Sequence, residues 1–181
     1  LVSYDFFKIP RKNIIFGRWI KHSRWWPDYQ VRLFKKNKVK WPKIIHRQPK
    51  VSGHGFEVEA KEEFALVHHN YRDIDEFLSK AKRYAKYEAQ EFVDEKKEYG
   101  FSITIKRSLN EFISRYFAAK GYKDGKQGFV LAMLQMIYYF FVYFYYLEMK
   151  KFKTEEKIDE ADFFKNGLKE VLSWKPKTTL K

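Results

Sequence analysis

Residues 1–50 hold two carboxylates, Asp5 and Asp28, against fourteen lysines and arginines. Asp28 directly follows Trp25-Trp26-Pro27, inside a stretch over 14–46 that also holds Trp19 and Trp41. A carboxylate there can act as a general base, contact a sugar hydroxyl or hold a metal. It can equally pair with a nearby arginine or cap the turn after Pro27. On sequence alone these readings stand level. Cations among aromatic rings suit an anionic ligand with a flat or apolar part: a nucleotide, sugar phosphate, nucleic acid or anionic lipid. Arg32 and Lys35 could hold phosphate, and His46 could meet a diphosphate oxygen or a metal. Charged strand ends and lone histidines more often serve solvation and structural hydrogen bonds. His68 and His69 point to opposite faces of a strand, which argues against joint chelation.

The charge is unevenly placed. Fourteen basic against two acidic residues leave +12 within 1–50, and twenty-three against twenty-one leave +2 elsewhere, for a net +14. Such a first third predicts an anionic partner. The absence of cysteine from the sequence excludes disulfides, thiolate catalysis and Cys-ligated zinc. No His-Glu-x-x-His, phosphate-loop, Gly-x-Ser-x-Gly or dinucleotide motif is present. The chain begins at Leu1 with residues that read as an element from inside a fold, so a fragment lacking N-terminal sequence is expected.

The elements that must position these residues follow from pattern. Residues 1–9 read as a strand or helix end that Pro10 closes. Phe16-Gly17-Arg18-Trp19 reads as a turn. Residues 29–35 alternate as a strand with Val31 and Leu33 on one face, 36–38 turn, and 39–41 return as a short strand that Pro42 ends. Residues 48–55 read as a loop, with strands over 56–59 and 64–68. Asp73 with Glu76 has the capping-box spacing and predicts a helix over about 74–97, with Ile74, Phe77, Leu78, Ala81, Ala85, Ala89, Phe92 and Val93 on its apolar face. Ser108 with Glu111 repeats that spacing and predicts a second helix burying Leu109, Phe112, Ile113 and Tyr116, stopped by Gly121. The glycine-rich 121–128 reads as a turn. Residues 129–148 form the most apolar run, long enough as a helix to cross a bilayer. Its five tyrosines and central Gln135 favour a helix lying in the membrane interface or packed on the domain, with its aromatic side toward lipid. Lys150, Lys151 and Lys153 suit anionic head groups. A last amphipathic helix near 158–174 leads to a disordered tail, 175–181. The fold class expected is α+β: strands and loops over 1–70, then helices over 71–174.

Several segments, in order, resemble the C-terminal half of bacterial family 2 glycosyltransferases of the lipopolysaccharide-core and cell-envelope group. They are Ile9-Pro10-Arg11-Lys12-Asn13 with Phe16-Gly17-Arg18-Trp19-Ile20, and the block Trp25-Trp26-Pro27-Asp28-Tyr29-Gln30-Val31-Arg32-Leu33-Phe34. Trp41 to His46, Leu66-Val67-His68-His69-Asn70-Tyr71, Lys80 with Arg83-Tyr84 and Glu88-Ala89, and Gly121-Tyr122-Lys123-Asp124-Gly125 with Gly128-Phe129 follow. The resemblance implies the C-terminal part of a GT-A fold, with residues 1–70 on the acceptor side. It implies a nucleotide-sugar donor, a glycan or lipid-linked acceptor, and a location at the cytoplasmic face of the cell membrane, contacted through 129–153. It implies a divalent cation, Mg²⁺ or Mn²⁺, whose ligands lie mostly outside this chain. No Asp-x-Asp precedes the tryptophan block; Asp73-Ile74-Asp75 has the letters but opens a helix. The chain alone is therefore expected to be inactive. Asp28 would contact the acceptor hydroxyl as catalytic residue. Trp25, Trp26, Gln30, Arg32 and Trp41 would bind substrate, and His46 would face the metal or diphosphate. Two departures stand out: Arg47 where the family often has Glu, and Arg24 where Gly is frequent.

Two other readings compete. A basic, aromatic-rich first third can stack bases and neutralise phosphates, although no nucleic-acid recognition motif is present. A membrane-associated protein without catalysis would also use the aromatic helix.

Overall fold

The computed structural model describes residues 3–42 and 48–152, together with Lys165, Lys169 and Leu172. His46 lies outside the described residues, as do the 175–181 tail and most of the helix expected near 158–174. The architecture is α+β, with strands up to Tyr71 and long helices from Ile74 onward.

The spine of the mixed five-stranded sheet is β1 (Phe6–Ile15). The two-residue β2 (Arg18–Trp19) folds back on its end through Phe16 and Gly17, whose φ values of 51° and 76° make a tight hairpin turn. Antiparallel β3 (Asp28–Phe34) covers the rest of that side. The short β4 (Val39–Lys40) and β5 (Lys50–Val51) form a separate ribbon. On the other side of β1, parallel β6 (Gly55–Glu57) and then β7 (Leu66–Tyr71) succeed one another.

Three strand expectations are corrected. Pro10 does not close the first element, because β1 runs through it. The Lys8 carbonyl accepts from Val58 on the β6 side, so Pro10, two residues on, turns its nitrogen the same way. There β6 has ended and β7 begins opposite Arg11, so no ladder bond is lost. The return strand at 39–40 pairs with β5, inside the supposed 48–55 loop, and not with β3. The last strand is shifted along the chain, because Glu62–Phe64 forms a 3-10 turn ahead of it.

Helix α1 (Ile74–Asp94) starts as its spacing predicts: the Asp73 side chain accepts from the Glu76 backbone N–H at 2.7 Å. Its alanine stripe, Ala81, Ala85 and Ala89, is buried and lets α3 approach closely. Helix α2 (Phe101–Ile113) begins after Gly100, so the expected start at Ser108 is wrong. Ser108 is buried in mid-helix, and buried Thr104 with Phe101, packed on the core cluster, extends that face by two turns. After a π-helical turn (Ser114–Ala118) and a 3-10 turn (Gly121–Asp124), α3 (Gly125–Met149) begins. The second half of the supposed 121–128 turn is thus its first helical turn. A Cβ on Gly128 would stand 1.9 Å from the Gly121 carbonyl, so only glycine allows this crossing. Helix α3 packs between α1 and α2, and its Leu131 completes the cluster of Ile15, Ile20 and Trp25 beside the sheet.

Candidate functional site

The strand register brings a band of polar side chains onto one sheet face. Arg11 stands opposite Asp28 on β3 and opposite Leu66 on β7; Ile9 stands opposite Gln30, and Asn13 opposite His68. Neighbours across a sheet share a face, so Gln30, Asp28, Arg11, Asn13 and His68 line up across three strands. Asp28 Oδ2 accepts from Arg11 Nε at 2.9 Å, Arg11 Nη2 at 2.5 Å and Asn13 Nδ2 at 2.8 Å. Its Oδ1 accepts from Gln30 Nε2 at 2.8 Å. The arginine partner allowed for at Asp28 is therefore Arg11. A carboxylate oxygen takes about two hydrogen bonds, so Oδ1 retains capacity that Oδ2 has used.

Asn13 is fully buried and joins the band to the tryptophan loop, giving its second N–H to the Trp25 carbonyl at 3.1 Å. Its Oδ1 meets His68 Nδ1 at 2.9 Å and Asn70 Nδ2 at 3.4 Å. Because Oδ1 can only accept, the proton sits on His68 Nδ1 and leaves Nε2 with its lone pair. Burial and the neighbouring Arg11 hold His68 below the usual histidine range, so the ring is neutral near pH 7.

Arg11, Trp25, His68 and Asn70 line one side of a cleft of about 1040 Å³, and Lys80 and Tyr84 of α1 stand among those on the other. The cleft wall thus combines aromatic rings with hydrogen-bonding groups of both kinds. Tyr71, also in the wall, is pushed up to about 12 by burial, so it stays a hydroxyl donor.

Of the six expected site residues that are described, Trp25 alone lines this cleft. Asp28 and Gln30 belong to the band beside it. Trp26 packs its ring edge-to-face with Trp19 at 5.2 Å. Arg32 is exposed, and Trp41, 51 % exposed, lies just beyond the β4 end of the separate ribbon. Three cations stand against the tryptophan rings, one of them, Lys21, from the tryptophan stretch itself. Lys12 and Lys21 sit 4.5 and 4.2 Å from the Trp19 ring, and Arg115 sits 5.3 Å from Trp25. Arg11 and Asn13 have no chemical signature in sequence; only their register with Asp28 and His68 exposes them.

The tryptophan loop is held from behind by the connector into α3. The buried Asp124 carboxylate accepts from the His22 backbone N–H at 2.8 Å and meets His22 Nδ1 at 3.1 Å. Glu111 bridges Arg115 Nε at 2.5 Å and Arg24 Nη2 at 2.8 Å. Burial pushes the Glu111 carboxyl up, but these two guanidiniums outweigh it and hold it below the usual range.

Among the described residues, no group of three histidines, aspartates or glutamates is placed to hold a metal. The one carboxylate in the band is already bonded to Arg11, whose charge opposes a cation there. These residues do not fit a metal centre, and no step is assigned to one. No protein-family model matches the chain, and no solved structure gives a significant match.

Proposed function

We propose that this chain forms the acceptor side of a glycosyltransferase similar to family 2, acting on a cell-envelope glycan or lipid-linked acceptor. The observation that carries the reading is the polar band of Asp28, Arg11, Asn13 and His68 opening into an aromatic-walled cleft. Sugar rings present hydroxyls at their edges and C–H groups on their faces. A wall of aromatic rings beside fixed donors and acceptors answers both. In this reading the acceptor hydroxyl loses its proton to His68 Nε2 as its oxygen bonds the anomeric carbon of the donor, and the bond from that carbon to the nucleoside diphosphate breaks. Asp28 fixes Arg11 and Asn13, and offers Oδ1 to an acceptor hydroxyl. The nucleotide-sugar site and the Mg²⁺ or Mn²⁺ that the family resemblance implies are outside this network.

The test incubates the product of the complete reading frame with membranes, Mg²⁺ or Mn²⁺ and a panel of nucleotide-sugars, and follows nucleoside diphosphate release. Release with one sugar that falls about 100-fold or more in His68→Gln supports the reading and the base assignment. Release that falls in Asp28→Asn but not in His68→Gln returns the base to Asp28. No release with any donor from a folded protein overturns the reading.

A second reading has its own observation. The β4–β5 ribbon presents Lys36, Lys40, Trp41 and Lys50 exposed, a combination that suits single-stranded nucleic acid. Binding to such strands that falls steeply with salt, and is lost in Trp41→Ala, would favour it.

A further inference from the structure

Helix α3 is long and apolar enough to cross a membrane by length and composition. Its polarity, however, runs opposite to that of an ordinary surface helix. Every one of its five tyrosines faces into the protein. Tyr138 donates to Glu88 at 2.7 Å and Tyr146 to Glu98 at 2.8 Å. Tyr139 lies 4.4 Å from the Arg107 guanidinium, Tyr143 is buried, and Tyr145 packs on the core cluster with α1. Gln135, the polar residue at mid-helix, lines the cleft. The opposite stripe carries Phe129, Met133, Met136, Ile137, Phe140 and Phe144, none of which belongs to a core cluster; Phe129 meets the Phe112 and Tyr116 rings, and the four residues between it and Phe144 are half-buried. At 1.5 Å per residue it runs for about 22 Å without a charge. Phe129 and Phe144 are 45 % and 54 % exposed, and Phe117 at one end and Phe152 at the other are exposed as well.

The charges stand at the two ends. Lys120, Lys123 and Lys126 are exposed before the stripe. Lys151 is exposed after it, beside Lys150, which also reaches Glu98 at 3.7 Å. Helices α1 and α2 flank α3, and Lys82, Arg83 and Lys86 of α1 are exposed. A crossing would carry those charges into hydrocarbon.

We propose that α3 lies flat on an anionic lipid bilayer, with the stripe from Phe129 to Phe144 among the acyl chains and the lysines at both ends on the phosphates. Aromatic side chains and lysines at the water–lipid boundary are the usual means of such attachment. The surface is independent of the proposed glycosyl transfer, and either reading can fail alone.

The test uses the cysteine-free sequence to place a single environment-sensitive dye. Met133→Cys and, as a control on the sheet, Val67→Cys are labelled and mixed with phosphatidylcholine vesicles containing or lacking 30 mol % phosphatidylglycerol, a proportion chosen at about physiological anionic content. Sedimentation with the vesicles is read in parallel. The proposal expects sedimentation with anionic vesicles only, weakened by salt, with a blue shift at position 133 and none at 67. It also expects a loss of about tenfold or more in Phe140→Glu/Phe144→Glu, checked for native circular dichroism, and a smaller loss in Lys123→Glu/Lys126→Glu. Absence of vesicle binding overturns it, as does binding without a shift at position 133. A dimer that Phe144→Glu dissociates, without vesicle binding, would assign the stripe to a second copy of the chain.

Discussion

Asp28 and Glu111 are both gripped by arginine, and the grip serves different ends. Glu111 gives one oxygen to Arg115 and the other to Arg24, and its side chain is only 14 % exposed. Arg115 continues to the Ser23 carbonyl and the Trp25 ring, so this network ties the tryptophan loop to the end of α2, with Arg24 on its solvent side. Asp28 is comparably covered at 20 %, yet one oxygen carries three hydrogen bonds and the other one. Its partners Arg11 and Asn13 lead outward, to a cleft wall and to a histidine with a free ring nitrogen. An ion pair that joins two elements away from the cleft fastens those elements together. One whose partners stand in a cleft wall, as Arg11 does, sets the groups that a ligand there would meet.

The comparison breaks most visibly on the fastening side. Gly128→Val should drive a side chain into the Gly121 carbonyl and cost on the order of 4 kcal/mol or more, read as a lowered urea midpoint. Glu111→Ala should cost about 3–5 kcal/mol, because Arg115 is left charged and buried. A loss under about 1 kcal/mol would show that the clamp fastens nothing. On the other side, Asp28→Asn should lower stability by only about 1–2 kcal/mol but weaken glycan binding, followed by nuclear magnetic resonance titration, about tenfold. Equal losses of stability for Asp28→Asn and Glu111→Ala would erase the distinction.

The smallest effect concerns pH. His68 has a lowered value in the folded protein, so the unfolded chain takes up a proton first as pH falls. Its contribution is complete above the ordinary histidine value of about 6.5 and is lost as pH falls through the folded value. The urea midpoint should therefore decline between about pH 7 and about pH 5, and less so in His68→Asn. Identical declines would place the titration elsewhere.

The helical half was largely legible because its signals are local. The Asp73 cap and the buried Phe77, Ala81, Ala85 and Ala89 follow from spacing within α1, whereas Ile74, expected on the same face, is exposed in the first turn. Where local signals misled, a second force prevailed. Ser108 with Glu111 mimics a cap, but the apolar pattern reaching back to Phe101 binds that segment to α3. The strand half was less legible. Pro10 looks like a terminator until the gap between β6 and β7 is known, and the 39–40 strand gives no hint that its partner is at 50–51. At the candidate site, Asp28, Gln30 and Trp25 stood out by their company in sequence. Arg11, Asn13 and the bonding of His68 did not, because register sets them and a shift of one residue would turn each to the other face.

By itself the sequence determined composition and period: an α+β chain, basic in its first third, with a long apolar helix that carries five tyrosines. Those properties are sums and spacings along one chain. The tertiary structure decided which faces point where. It turned the tyrosines of α3 inward to Glu88, Glu98 and Arg107, set Lys12 on the Trp19 ring and Arg115 on the Trp25 ring, and set Asn13 between Asp28 and His68. Each of these is a contact between residues many positions apart, and only the folded chain brings such residues together.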